Sequence, residues 1–191
     1  MLVEGPRIGT FCWCLYAGPI FRAMRRSIVL FVSVIGLGGI LFFYPLRVLT
    51  LTQGDQIIFS KRVNPGDTFE LAFLHSIALS DVRDFFLIDP EYRLVLTETR
   101  FQGQGTGLPY NLAQGEQLHR EGDWFRITGM HRVLPSIYWR VQAQWHNRFR
   151  FGNDSESDLS ARIGDALIHI QVQKMNPAFY LGVWYKSKNL S

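Results

Sequence analysis

Residues 27–46, SIVLFVSVIGLGGILFFYPL, run for 20 positions without a charge. As a helix rising about 1.5 Å per residue, this run reaches roughly 30 Å, the thickness of a bilayer's hydrocarbon core. A helix on a soluble protein buries one stripe and wets the other, whereas this segment is apolar all round. The run therefore predicts a single transmembrane helix. A cleaved signal peptide ends on small residues before its cut. Tyr44-Pro45-Leu46-Arg47 offers no such site, so the reading is an uncleaved signal anchor.

Charge sets the expected orientation. Arg22, Arg25 and Arg26 flank the run on its N-terminal side, and only Arg47 lies close on the other. Positive charge beside a span stays cytoplasmic. Residues 1–26 are thus expected as a short cytoplasmic tail, 27–46 as the signal-anchor helix in contact with membrane lipid, and 47–191 as an exported domain. Met24-Arg25-Arg26 also reads as a natural start, which leaves Met1–Ala23 as either a tail or an upstream extension. The formal net charge is +4, and Arg7, Arg22, Arg25 and Arg26 against Glu4 account for most of it. A nucleic-acid binder carries its basic patch on the folded domain, and the near-neutral remainder points to no nucleic acid partner. Cys12 and Cys14 lie in the tail, so the exported part folds without disulfides.

Beyond residue 47 the pattern has a period of two, the signature of strands. In 137–151, IYWRVQAQWHNRFRF, one parity holds Ile137, Trp139, Val141, Ala143, Trp145, Phe149 and Phe151 and the other is polar. This predicts a long strand or a tight hairpin. Residues 166–173 behave alike, with Ala166, Ile168, Ile170 and Val172 inward. Further strands are expected at 48–52, 56–63, 68–75, 82–89, 92–101 and 124–129, punctuated by turn residues such as Asn64-Pro65-Gly66-Asp67. Leu159–Ile163 reads as a brief helical turn. Short strands at this spacing predict an all-β fold, an antiparallel sandwich or open barrel, preceded by the single N-terminal helix.

Two segments depart from the alternation and are the candidate binding or docking elements. The first is His75-Ser76 at the end of a strand, followed by Asp84. The second runs from Glu98 through Gly105 and Gly107 to Pro109. Neighbouring residues on a strand face opposite ways, so His75 is poorly placed to serve Ser76 as a base, and no G-x-S-x-G elbow surrounds the serine. No catalytic residue is assigned on these grounds. The alternate glycines lack the spacing of a nucleotide fingerprint. They suit either a ligand-contacting loop or a strand crossover that needs close backbone approach. His75, His119, His131, His146 and His169 are scattered, which suggests neither a metal site nor a cofactor.

With these segments in view, the chain resembles a family of small bacterial proteins known as domain of unknown function 1850. Its members combine an N-terminal apolar anchor, a strand ending in His-Ser-Val, an acid about eight residues on, and a Gly-Ala-Gly-Leu-Pro loop. Here His75-Ser76-Ile77 matches the first motif, and Asp84 stands where the family usually has Glu. Gly105-Thr106-Gly107-Leu108-Pro109 matches the loop, with Glu98-Thr99 before it. The departures are Ile77, Asp84, Gln104 and Thr106, and the resemblance is read over residues 48–173. Genes of the family commonly neighbour those of TAXI-type TRAP transporters. The resemblance thus implies a non-catalytic accessory protein or small subunit, single-pass in a bacterial inner membrane. Its domain, periplasmic or extracellular, would contact the permease or its substrate-binding protein. Two other expectations stand beside it: an exported enzyme using His75 with Asp84 or Glu98, and an envelope assembly factor.

Overall fold

The computed structural model describes residues 19–77, 79–102 and 112–188, with backbone alone for 19–23, 40, 41, 43 and 184–188. The chain divides between Leu41 and Phe42 into two units. Helix α1 spans Pro19–Phe43. Pro45 disfavours helical backbone at Tyr44. Val29, Leu30, Phe31 and Val32 take the helix once around its circumference, and each is 58–68% exposed. Among the described residues no helix is long and apolar enough to cross a membrane. The span over 27–46 therefore stands as a proposal.

The second unit is built of two antiparallel sheets. The four-stranded sheet has the order β2-β1-β12-β9, from Gln56–Arg62, Leu46–Gln53, Ala166–Met175 and Ile137–Val141. The larger sheet runs β11-β10-β3-β4-β5-β7-β6, with β8 also pairing β5. Its strands are β3 (Thr68–Leu74), β4 (Asp81–Ile88), β5 (Leu94–Gln102), β6 (Gln117–Glu121), β7 (Trp124–Thr128), β8 (Arg132–Leu134), β10 (Arg148–Phe151) and β11 (Ser157–Asp158). Among the described residues neither sheet closes into a barrel. The brief helix expected after β11 is α2 (Leu159–Ile163), capped by the Asp158 carboxylate accepting from the Ala161 N–H. A helix absent from the sequence reading, α3 (Pro177–Lys188), follows β12.

Alternation explains how the sheets meet. Leu49, Leu51, Ile168, Ile170 and Val141 from the small sheet form one core with Phe69, Leu71, Phe86, Ile88, Phe149 and Phe151 from the large one. Phe69 stacks on Phe86 at 4.8 Å between ring centroids, and Phe59 meets Phe149 edge-on at 4.8 Å. A second cluster of Val82, Phe101, Phe125, Ile127 and Met130 lies further along the same face of the large sheet. The Asn64–Asp67 turn forms as its residues dictate: the Asp67 N–H donates to the Asn64 carbonyl at 3.1 Å, and Gly66 takes the positive φ of 95° that a type II turn needs.

One expectation is corrected. Residues 137–151 are neither one strand nor a hairpin, because β9 pairs with β12 in the small sheet and β10 with β3 in the large one. Between them Ala143–Trp145 makes a 3-10 turn and His146 adopts the left-handed region at φ 46°. Ala143, expected inward, is exposed, while Asn147 is buried. The Asn147 side chain accepts from the Gln142 N–H at 2.9 Å, and its carbonyl accepts from the Leu159 N–H at 2.9 Å. The reason lies in the shared core: both sheets turn their apolar parity toward it, so the pattern continues unbroken through a corner where the chain changes sheets.

Candidate functional site

The site is best read from the two faces of the large sheet. On the outer face, register sets Arg83 opposite Arg100 and Arg100 opposite Arg126. Like charges directly across a ladder repel, and carboxylates from the neighbouring rungs neutralise them. Glu70, only 5% exposed at its side chain, accepts from Arg83 at 2.7 Å and from Arg150. Asp81 accepts from Arg148 and from Arg83, and Glu156 forms an ion pair with Arg148 at 3.0 Å. Glu98 takes Arg100 at 2.5 Å and Arg126 at 2.7 Å. Burial works to raise the Glu98 carboxyl, but the hydrogen bonds from Arg126 and Arg100 outweigh it and hold the group below its ordinary range. Glu98 is thus committed to the ion-pair lattice of the outer face.

Asp84 lies on the opposite face. It pairs with Thr99 while Phe85 pairs with Glu98, so the two acids singled out in the sequence point to different sides of the sheet. Along its strand Asp84 alternates with Val82, Phe86 and Ile88, and across the ladder it meets Leu71. It is partly buried, and the Thr99 hydroxyl donates to it at 2.9 Å. Burial among these neighbours pushes its carboxyl up to about 6, against the opposing pull of the Thr99 hydrogen bond and the Arg132 guanidinium. A bulge sharpens the separation of the faces: Phe85 pairs with Glu98 but Phe86 with Leu96, leaving Thr97 as the extra residue, its hydroxyl donating to the Phe85 carbonyl at 3.1 Å. Leu96 and Glu98, two apart in sequence, consequently face opposite ways.

Arg132 and Glu116, neither anticipated, complete this inner-face group. Arg132 stands on β8 opposite Leu96 and donates to both Glu116 oxygens at 2.9 and 3.1 Å. The Glu116 side chain is 3% exposed. The Ala113 N–H and the Arg132 guanidinium hold its carboxyl below the ordinary range. Its position depends on Gly129, whose φ is 74° and where an added Cβ would stand 2.5 Å from the Gly115 carbonyl oxygen. Gly129→Ala is expected to cost about 2 kcal/mol or more, from the strained backbone and the displaced Gly115 together. The midpoint of denaturant unfolding checks this, and an unchanged midpoint contradicts it.

His75 follows β3 directly, on the inward parity of Phe69, Leu71 and Phe73, in the turn that leads to β4. Its N–H donates to the Ser80 carbonyl at 2.8 Å, its carbonyl accepts from the Leu79 N–H at 2.8 Å, and its Nδ1 accepts from the Ile77 N–H at 3.3 Å. An acceptor at Nδ1 places the neutral ring's proton on Nε2. His75 shares a face with Asp84 but stands four residues, roughly 13 Å, along β3 from Leu71, the residue opposite Asp84. Ser76 is exposed at the turn. Gly105, Gly107 and Pro109 lie outside the described residues, as does the expected approach of their loop to His75. Among the described residues no three His, Cys, Asp or Glu side chains gather as a metal site.

Of the scattered histidines, His146 is exposed in the corner, while His169 is half-buried and stacks on Tyr138 at 4.3 Å. Between the edges of the two sheets a cleft of about 370 Å³ is floored by Phe59, Phe149 and Phe151 and rimmed by Asp154 and Arg162. The Lys61–Asp154 ion pair at 2.5 Å closes part of that rim.

Residues 69–157 match the family described as Domain of unknown function (DUF1850). The match runs from β3 into β11 and is narrower than the 48–173 stretch over which the motifs resemble the family. It takes in His75, Ser76, Asp84 and Glu98. No curated protein and no solved structure matches the chain.

Proposed function

We propose that the chain is a membrane-anchored, non-catalytic accessory protein of a TAXI-type TRAP transporter. In this reading α1 holds it in a bacterial inner membrane with the N-terminus cytoplasmic, and the β domain on the other side contacts the permease or its substrate-binding protein. The observation that carries the reading is α1 itself: four consecutive apolar side chains, one full turn of the helix, stand uncovered. An apolar surface on all sides finds its natural solvent in lipid. The arginines on its N-terminal side support the orientation. The transporter as partner rests on the resemblance of His75-Ser76-Ile77 and Asp84, and is an inference by association.

Affinity purification of the tagged full chain from native membranes tests the partner. The expected result is recovery with transporter subunits. Extraction of the chain by an alkaline carbonate wash, or purification free of any transporter subunit, overturns the reading. Orientation is checked separately by a cysteine placed at Asn153. A membrane-impermeant maleimide should label it in cells whose inner membrane is intact.

One observation favours a second reading, an exported enzyme. A carboxyl raised to about 6 on an apolar sheet face, as at Asp84, is suited to holding and releasing a proton near neutral pH. His75 is on the same face, whereas Glu98 is not. In that reading His75→Ala and Asp84→Asn abolish one chemical activity while folding and partner binding persist.

A further inference from the structure

The β unit is open along one side. Strand β2 ends the small sheet, β10 and β11 end the large one, and the cleft of about 370 Å³ lies between them. The alternation that builds the core also floors this cleft. Phe149, Phe151 and Leu159 belong to the main apolar cluster and Phe59 packs against it, so the cleft opens directly onto the core. Phe59 meets Phe149 edge-on and lies 6.4 Å from Phe151 between ring centroids. Ring faces and edges at such spacings suit a further ring or a branched alkyl group. A few hundred Å³ with an apolar floor and a small number of polar groups has the dimensions of a small-molecule site.

Ser155 and Ser157 form one wall, and their short side chains leave the space open. Glu156, between them, is turned away to Arg148 on the outer face. The group that spans the opening is Lys61, whose ammonium lies 4.6 Å above the Phe151 ring and pairs with Asp154. Both side chains of that pair are exposed, at 39% and 53%. An ion pair so placed holds weakly and yields to an entering group. Charge then decides which polar head suits the cleft. Lys61 and Asp154 neutralise one another, which leaves Arg162 as the second cation of the rim. Its guanidinium donates to the Ser157 hydroxyl at 3.3 Å and has no ion-pair partner among the described residues. The acids nearest in sequence are engaged elsewhere: Asp158 accepts from Ser160 and Ala161, and Asp165 from the Ala143 N–H. A guanidinium with N–H groups to spare presents a planar fork that fits a carboxylate.

We infer that this cleft binds a small monocarboxylic acid with an aromatic or branched apolar body. The body lies on Phe59, Phe149 and Phe151, and the carboxylate accepts from Arg162, beside the Ser157 hydroxyl. The site uses neither His75 nor Asp84, and nothing in it depends on α1.

Titration calorimetry on the full chain in detergent micelles, with empty micelles as the blank, tests the inference. The probes are phenylacetate and isovalerate, set against the uncharged phenylacetamide and the cationic phenethylamine. Both acids should bind, phenylacetamide at least tenfold more weakly than phenylacetate, and phenethylamine more weakly still. Arg162→Gln should lower the affinity for phenylacetate at least tenfold. Ser155→Phe should fill the cleft and abolish binding, while the melting temperature holds or rises. If that variant melts early, Arg162→Gln decides alone. Arg140→Gln, which removes an exposed arginine of β9 outside the cleft, should bind as the unaltered chain does. Absence of binding by both acids, an amide or amine that binds as well as the acid, or unweakened binding by Arg162→Gln or by a stably folded Ser155→Phe overturns the inference. An equal loss in Arg140→Gln and Arg162→Gln also overturns it, since the attraction would then belong to surface charge at large.

Discussion

At pH 8 the Asp84→Asn variant is expected to unfold at higher denaturant than the unaltered chain, and the difference should vanish as the pH is lowered to 4. The carboxyl of Asp84 titrates at about 6 in the folded chain, against an ordinary value of 3.8. Between those two values the folded state binds more protons than the unfolded one, so stability falls as the pH rises. The loss is complete above the folded value and absent below the unfolded one. Its size is about 3 kcal/mol at most, from 1.4 kcal/mol per unit of pKa. Asparagine keeps the shape and can still accept from the Thr99 hydroxyl, yet has no proton to lose. Unfolding free energies of the two chains at pH 4, 6 and 8 decide the matter. A difference that does not change with pH would mean Asp84 ionises in the fold as it does in water.

The second large effect concerns the core. Phe69 is 2% exposed, sits directly opposite Phe86 in the ladder and stacks on its ring. Phe69→Ala removes both the buried area and the stacking partner, and should cost about 3–5 kcal/mol. Phe85, beside Phe86 but on the outer face, covers the Arg100 guanidinium at 4.8 Å. Its replacement by alanine should cost about 1 kcal/mol, the worth of a partly exposed cation–π contact with modest burial. Equal shifts of the denaturation midpoint for the two variants would contradict the assignment of faces.

The elements legible in the sequence were those whose pattern reports a single local geometry. Ile168 and Ile170 alternate with polar residues along an uninterrupted β12, and Asn64-Pro65-Gly66-Asp67 encodes its own turn. Where two geometries share one pattern, the reading failed: the apolar parity of 137–151 serves two sheets that face the same core, so nothing in it marks the corner at Ala143–Asn147. In β5 the Thr97 bulge reverses the parity between Leu96 and Glu98, and a bulge leaves no periodic trace. β6, with all five residues exposed, has no apolar alternation to detect. The site was legible in part. Asp84 falls on the apolar parity of Val82, Phe86 and Ile88, a signal of burial that its spacing from His75 alone does not reveal. The Arg132–Glu116 pair, drawn together across 16 residues of chain, follows only from the fold.

The placement of β12 has a consequence for how the domain is made. It lies between β1 and β9 in the small sheet, so the final strand of the unit becomes an interior one. Thr50 and Gln171, joined across the β1–β12 ladder, are 121 residues apart. The hairpin of β1 and β2 and the meander from β3 to β5 close short loops and can form while the chain is still emerging. The small sheet cannot, because its central gap must wait for residues 166–175, and closing so long a loop precedes any reward in pairing. Until then β1 offers an open edge, and the Asn147 corner is held without the strand that β9 needs. Assembly therefore includes a slow closing step that waits for residues 166–175, during which β1 is open to pairing with another chain.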